Sequence, residues 1–176
     1  MIFSETKLQG AFIIDPQKLE DDRGFFARSW CQREAAAYGL HPQWVQCNVS
    51  FNKKKATLRG MHYQCAPSEE AKLVRCTRGA IYDVIIDLRP TSSTYRKWLA
   101  VELTAENRRM LYIPEGFAHG FLTLDDNTEI FYQMAEFYVP ACARGVRWND
   151  SAFGIKWPME ASVISDKDRN YPDFGA

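Results

Sequence analysis

Short runs of β-branched and aromatic residues recur along most of this sequence: AFIID, GFFARSW, WVQCNVSF, KLVRCT, AIYDVIIDL, KWLAVEL, GFLTL and TEIFYQMA, each bounded by turn residues. Apolar runs this short, spaced this evenly, bury one face as strands and predict an all-β chain closed into an antiparallel sandwich or barrel. The punctuation agrees. Arg78-Gly79 joins two runs tightly enough for a hairpin, and Asp125-Asp126-Asn127 supplies residues that tolerate left-handed backbone. One segment reads differently: QREAAAYG, 32 to 39, carries three consecutive alanines and ends on Gly39, which predicts a short helix with a glycine cap. From about residue 140 the pattern loosens into WNDSAFGIKWP and ISDKDRNYP, whose apolar anchors predict a tail packed back onto the barrel.

The sequence has no internal repeat and no Gly/Ser-rich linker, so one domain spanning 1–176 is expected, and 46% apolar residues suffice for its core. Lys plus Arg equals Asp plus Glu at 22 each, so no global field favours nucleic acid or an anionic membrane, and an anionic ligand needs a local site. The five scattered cysteines form no CxxC pair and read as reduced thiols, which points to the cytoplasm. The opening MIFSETKLQGAFIID lacks a basic start and a long apolar core, and no stretch approaches the ~20 apolar residues of a membrane span. A soluble, unexported protein is expected.

The residues able to carry chemistry are dispersed. His62 lies in TLRGMHYQ, where strict alternation puts Leu58, Gly60, His62 and Gln64 on one face and Arg59, Met61 and Tyr63 on the other. A bulge at Gly60 would relax that separation. A lone histidine is more often structural than catalytic. His119 lies in IPEGFAHGF, a P-x-G-x-x-H pattern similar to half of the cupin signature. A metal-binding cupin also needs a second histidine close to the first and a glutamate, whereas Gln64 follows His62 and only Glu69 or Glu70 remains, a poor set for a transition metal. Lys72, Asp83 and Asp87 read most simply as a solvated outer face, with the two aspartates on the same side of their strand. Asp166 and Asp168 flank Lys167 in ISDKD, and a carboxylate there can fix the tautomer of a histidine. Tyr132 and Tyr138 read as core or rim aromatics.

Taken together, DDRGFF, QCNVS, LRGMHYQ, AKLVRC, YDVIIDLR, YIPEGFAHGFLTL, WND and SDKD occur in the order of the dTDP-4-dehydrorhamnose 3,5-epimerase family, which the chain resembles over nearly its whole length. The resemblance implies a cupin-type jelly-roll barrel with few short helices and no metal or other cofactor. It implies a homodimer acting on a 4-keto-6-deoxy sugar attached to a nucleoside diphosphate. On the matching positions His62 is the base, Asp168 its orienting carboxylate, Tyr132 the acid on the opposite face of the sugar, and Lys72 the group that stabilises the enolate oxygen. Arg23, Phe26, Gln46, Asn48, Arg59, His119, Tyr138 and Lys167 match substrate-holding positions, with Arg23 and Phe26 reaching the neighbouring subunit's cavity.

Two positions depart from the family. Arg28 stands where a glutamate usually follows RGFF, and Ala143, beside Arg144, stands where a second acidic residue precedes WND. Two lost carboxylates predict a substrate other than the usual thymidine diphosphate hexose. A single-centre epimerase or ketoisomerase shares the first proton abstraction, a non-catalytic sugar-binding cupin would leave His62, Tyr132 and Asp168 unconverged, and a metal-dependent cupin would carry stoichiometric metal.

Overall fold

The computed structural model describes residues 1–40 and 43–175. Among these the strands are β1 (Ile2–Glu5), β2 (Phe12–Asp15), β3 (Lys18–Asp21), β4 (Gly24–Ala27), β5 (Gln46–Asn52), β6 (Thr57–Gln64), β7 (Lys72–Arg78), β8 (Ala80–Asp87), β9 (Trp98–Thr104), β10 (Met110–Ile113), β11 (Phe117–Thr123), β12 (Thr128–Met134), β13 (Ala143–Gly145) and β14 (Val163–Ile164). Two short helices accompany them, α1 (Gln32–Ala37) and α2 (Asp166–Arg169). One sheet runs β1-β2-β10-β7-β12-β5 and the other β13-β6-β11-β8-β9, with β14 beside β6 and β3-β4 forming a separate hairpin. Pairing is antiparallel except for β14 on β6. This is the expected cupin-type antiparallel barrel.

Period-two alternation sorts the side chains. Val74 and Cys76 of β7, Ile81 and Ile85 of β8, Leu111 and Ile113 of β10, Phe117 and Phe121 of β11 and Ile130 of β12 meet in the core between the sheets. On the outer side of the first sheet, Phe12, Ile14, Leu73, Met110 and Tyr112 are covered by α1, Trp30 and Trp44. Outside the second sheet, Val146, Phe153, Ile155, Trp157 and Phe174 pack over Met61, Val84 and Ile86, so the tail does return to the barrel. No helix among the described residues is long and apolar enough to cross a membrane.

The local signals set the helix end and one turn as expected. Gly39 has φ +69°, and Leu40 N–H and Gly39 N–H donate to the carbonyls of Ala35 and Ala36, the paired bonds of a Schellman cap. Asn127 takes left-handed backbone at φ +54° between β11 and β12.

Two expectations are corrected. Arg78-Gly79 does not close a hairpin: β7 pairs with β10 and β12 in one sheet, β8 with β11 and β9 in the other, and Gly79 (φ +73°) turns the corner between them. Turn residues report the sharpness of a bend, not which sheet the next strand joins. Lys72, Asp83 and Asp87 do not form a solvated face either. Asp83 and Asp87 share a side, but it is the side of Ile81 and Ile85, and both aspartates are fully buried. Lys72 is 7% exposed on the same face of β7 as Val74. Alternation gives the side chains two faces and does not say which is wet.

Asp87 survives burial because Arg89, Ser92 and Thr94 all donate to it. Burial alone would raise its pKa, but these hydrogen bonds prevail and hold it at about 2. A carboxyl depressed in the folded state contributes stability that is present above its unfolded value of roughly 3.9 and is lost as pH falls toward 2. Asp87→Asn is therefore expected to lower the thermal midpoint at neutral pH and to converge on the parent near pH 2, measured by calorimetry across that range. A constant difference down to pH 2 would contradict this.

Candidate active site

The site begins with an irregularity in β6. His62 pairs with His119 and Arg59 with Phe121, so β6 spends two residues, Gly60 and Met61, where β11 spends one, Gly120. The extra residue restores to one face two side chains that a regular strand would separate. His62 and Arg59 both turn toward the cavity, while Met61 points into the outer cluster with Val84 and Ile86. Gly60 permits it: φ is +140°, and a Cβ there would stand 2.5 Å from Gly120 Cα. Gly60→Ala combines left-handed strain with a backbone clash and is expected to cost at least about 2 kcal/mol, measured by urea unfolding.

Asp168 reaches this bulge from 106 residues along the chain. β14 runs parallel to β6, pairing Ile164 with Leu58, and leads into α2, where Ser165 Oγ caps the helix by accepting from Asp168 N–H at 3.1 Å. Asp168 Oδ1 then meets His62 Nε2 at 2.7 Å, and Oδ2 accepts from Gly60 N–H at 3.2 Å. Burial would raise the Asp168 pKa, but the hydrogen bond and charge of His62 outweigh it and hold the carboxyl below its usual range. The carboxylate occupies Nε2 and leaves Nδ1 of His62 as the basic nitrogen. Tyr171 packs edge-on against the imidazole, with ring centroids 5.9 Å apart.

The opposite wall belongs to the other sheet. β12 and β7 turn Tyr132 and Lys72 inward, on the same faces as the core residues Ile130 and Val74, and both line a cavity of about 460 Å³ that also holds His62, Arg59 and His119. Burial raises the Tyr132 phenol above its ordinary pKa, against the opposing charge of Arg59 and with a contribution from Glu70. The hydroxyl therefore stays protonated and available as a donor. Lys72 Nζ donates to Glu70 Oε1 at 2.5 Å, a pair almost wholly out of water. A base and a protonated hydroxyl on facing sheets, with an ammonium on the strand next to the hydroxyl's, can remove a proton from one side of a ring, stabilise the resulting anion and return a proton from the other.

The remaining candidates divide. His119 lines the cavity and is fixed by Asp83, 2.7 Å from its Nε2. Arg59 is steered by Asn52, which accepts its Nε–H at 2.7 Å. Tyr138 and Lys167 line the mouth, with the Lys167 ammonium 5.9 Å from the Tyr171 ring. Gln46 and Asn48 lie opposite Met134 and Tyr132 on β5, so they share the cavity-facing side of the sheet, hydrogen-bonded to each other at 3.1 Å. Arg23 and Phe26 are not brought to this cavity within the chain: they sit on the β3-β4 hairpin, where Arg23 pairs with Asp21 and Phe26 is 72% exposed. Of the two departures, Ala143 and Arg144 line the cavity, whereas Arg28 pairs with Glu34 at 2.5 Å away from it.

Several site residues escaped the sequence reading. Asp83, an outer-face residue by alternation alone, is the buried carboxylate that fixes His119. Gln64 is buried, its amide donating to the carbonyls of Ser68 and Phe137 and accepting from Val139 N–H, so it ties two loops at the cavity rim. Tyr171 had no sequence signal. Among the described residues no three His, Cys, Asp or Glu side chains gather closely enough to hold a metal ion.

Known proteins resemble this chain over nearly its whole length. The sequence pattern of the dTDP-4-dehydrorhamnose 3,5-epimerase family matches residues 5–175. A dTDP-4-dehydrorhamnose 3,5-epimerase of Shigella flexneri is 43% identical over 171 residues, 97% of this chain and 94% of that protein. The structure of a dTDP-4-dehydrorhamnose 3,5-epimerase from Bacillus anthracis with TDP and PPi bound superposes with a TM-score of 0.94 at 41% identity, covering 98% of this chain and 99% of that one. ChmJ, a 3'-monoepimerase from Streptomyces bikiniensis solved with dTDP-quinovose, gives 0.86 at 32% identity, covering 96% and 85%. A pattern match over residues 5–175, with a relative 43% identical over 97% of the chain, leaves one conclusion: the chain belongs to the dTDP-4-dehydrorhamnose 3,5-epimerase family.

Proposed function

We propose that this enzyme epimerises a nucleoside-diphosphate 4-keto-6-deoxy sugar at the carbons flanking the ketone, in deoxysugar biosynthesis. The observation that carries the reading is the His62–Asp168 pair facing Tyr132 and Lys72 across one cavity. A C–H beside a ketone is weakly acidic, and its anion is stabilised only as an enolate with a cation or donor at the oxygen. His62 takes the proton, Asp168 stabilises the imidazolium, Lys72 meets the enolate oxygen, and Tyr132 returns a proton from the other face. Arg59, His119, Lys167, Tyr138, Gln46 and Asn48 hold the substrate, the guanidinium and ammonium suiting the diphosphate.

Incubation with dTDP-4-keto-6-deoxyglucose in heavy water, followed by NMR, tests this. Deuterium at both C3 and C5 supports double epimerisation. Deuterium at one carbon favours single-centre inversion, a reading given weight by the likeness to the 3'-monoepimerase of Streptomyces bikiniensis. No exchange by folded protein would remove the reading for this nucleotide, and substrates with other bases would then test the expectation raised by Arg28 and Ala143.

The functional unit we propose is a cytoplasmic homodimer of single-domain subunits. Its support is the exposed β3-β4 hairpin, which offers Arg23 and the 72% exposed Phe26 to a neighbouring cavity. Sedimentation at assay concentration checks it, and a monomer with full activity would sink it.

A further inference from the structure

Glu70 has a role that pairing with Lys72 does not exhaust. Its side chain is 4% exposed, one oxygen takes the Lys72 ammonium, and the other, Oε2, is buried without a hydrogen-bond partner. A buried carboxylate oxygen left unpaired is unfavourable unless something fills the place. Glu70 lines the cavity, and among the described residues it is the only carboxylate that does. Arg59, Lys72, Arg144 and Lys167 can only donate, Gln64 is committed to its loops, and the two histidines are held by Asp168 and Asp83. A polyhydroxylated ring needs acceptors for its O–H groups, and Oε2 of Glu70 is an acceptor kept free.

Which hydroxyl it takes follows from the shared ammonium, and this step rests on the function proposed above. If Lys72 holds the oxygen of the ketone, a group on the second oxygen of Glu70 lies next to that ketone. Of the two carbons flanking the ketone of a 4-keto-6-deoxy hexose, C5 carries the ring oxygen and a methyl group, and only C3 carries a hydroxyl. We infer that Glu70 is a specificity-determining residue, accepting a hydrogen bond from the hydroxyl on C3 while its other oxygen holds Lys72 against the ketone. The bond is charge-assisted and desolvated, the condition under which a missing substrate hydroxyl is rejected most strongly.

The test compares the 4-keto-6-deoxy sugar nucleotide with its 3-deoxy counterpart, reading deuterium exchange at C5, which both possess, for the parent, Glu70→Leu and Glu70→Gln. The parent is expected to prefer the hydroxylated substrate by about 30-fold or more in kcat/KM. In Glu70→Leu the preference should collapse to less than about 3-fold, whatever the loss in absolute rate from the unpaired Lys72. Glu70→Gln, which keeps the shape and guards against a leucine variant that does not fold, should lose at least about threefold of the preference. An unchanged preference in the folded variants would reduce Glu70 to a counter-ion and overturn the inference, while C5 exchange by the parent left the epimerase reading intact. Absence of C5 exchange by the parent with either substrate would overturn that reading, and the inference with it.

Discussion

Substituting alanine for His62 should abolish the exchange of substrate protons with solvent, lowering the rate by about 10³-fold or more, the upper part of the range for a positioned general base. The side chain is 43% exposed and meets Tyr171 edge-on, so its removal opens no cavity in the core, although the buried Asp168 carboxylate keeps only its bonds from elsewhere, such as Gly60 N–H, and some stability is lost with the chemistry. Binding should survive, because the groups assigned to the diphosphate lie elsewhere on the cavity wall. Deuterium incorporation at C3 and C5 by NMR, alongside calorimetric titration with the nucleotide diphosphate, separates the two. Exchange by His62→Ala at the parental rate would remove His62 from the mechanism. Because the Asp168 carboxyl is held below its usual range, it stays ionised at neutral pH and its support of the imidazolium is lost only as pH falls through its depressed pKa.

Tyr132→Phe should separate two steps that His62→Ala removes together. The ring would keep its packing against the core, and only the hydroxyl is lost. Proton abstraction by His62 should continue at a reduced rate, whereas inversion, which needs a proton from the opposite face, should fall by about 10²-fold. The expected signature is deuterium entering with retained configuration, read by NMR coupling constants in the product. Because burial raises the parent's phenol above its ordinary pKa, the parent should keep its donor through neutral and mildly alkaline pH, and only the parent should show an alkaline limb from this group. Equal inversion rates in variant and parent would assign the returned proton to another group.

Both predictions depend on residues that the sequence names but does not assemble. TLRGMHYQ marks a strand with a glycine at its centre, and strict alternation leaves Arg59 and His62 on opposite faces. Only the pairing with β11 shows that Gly60 and Met61 together span Gly120 and turn both side chains inward. ISDKD offers two carboxylates of equal local standing. The parallel register of β14 on β6 and the Ser165 cap select Asp168 for His62, leaving Asp166 at the exposed start of α2.

What the chain determines by itself is therefore local or ordered along it. The alternation of apolar residues makes most of the long strands, three alanines and Gly39 make α1 and end it, and the ordered motifs carry the family. Tertiary structure alone decides which side of each strand is wet, which is why Asp83 and Asp87, outward by the simplest reading, are fully buried on the side of Ile81 and Ile85. It decides that β7 and β8 part into different sheets at Gly79, and that Asp168 meets a histidine 106 residues away. The physical reason is common to all three. Backbone preference acts over a few residues, whereas burial and hydrogen-bond partnership depend on register between strands that the packing of the whole barrel sets.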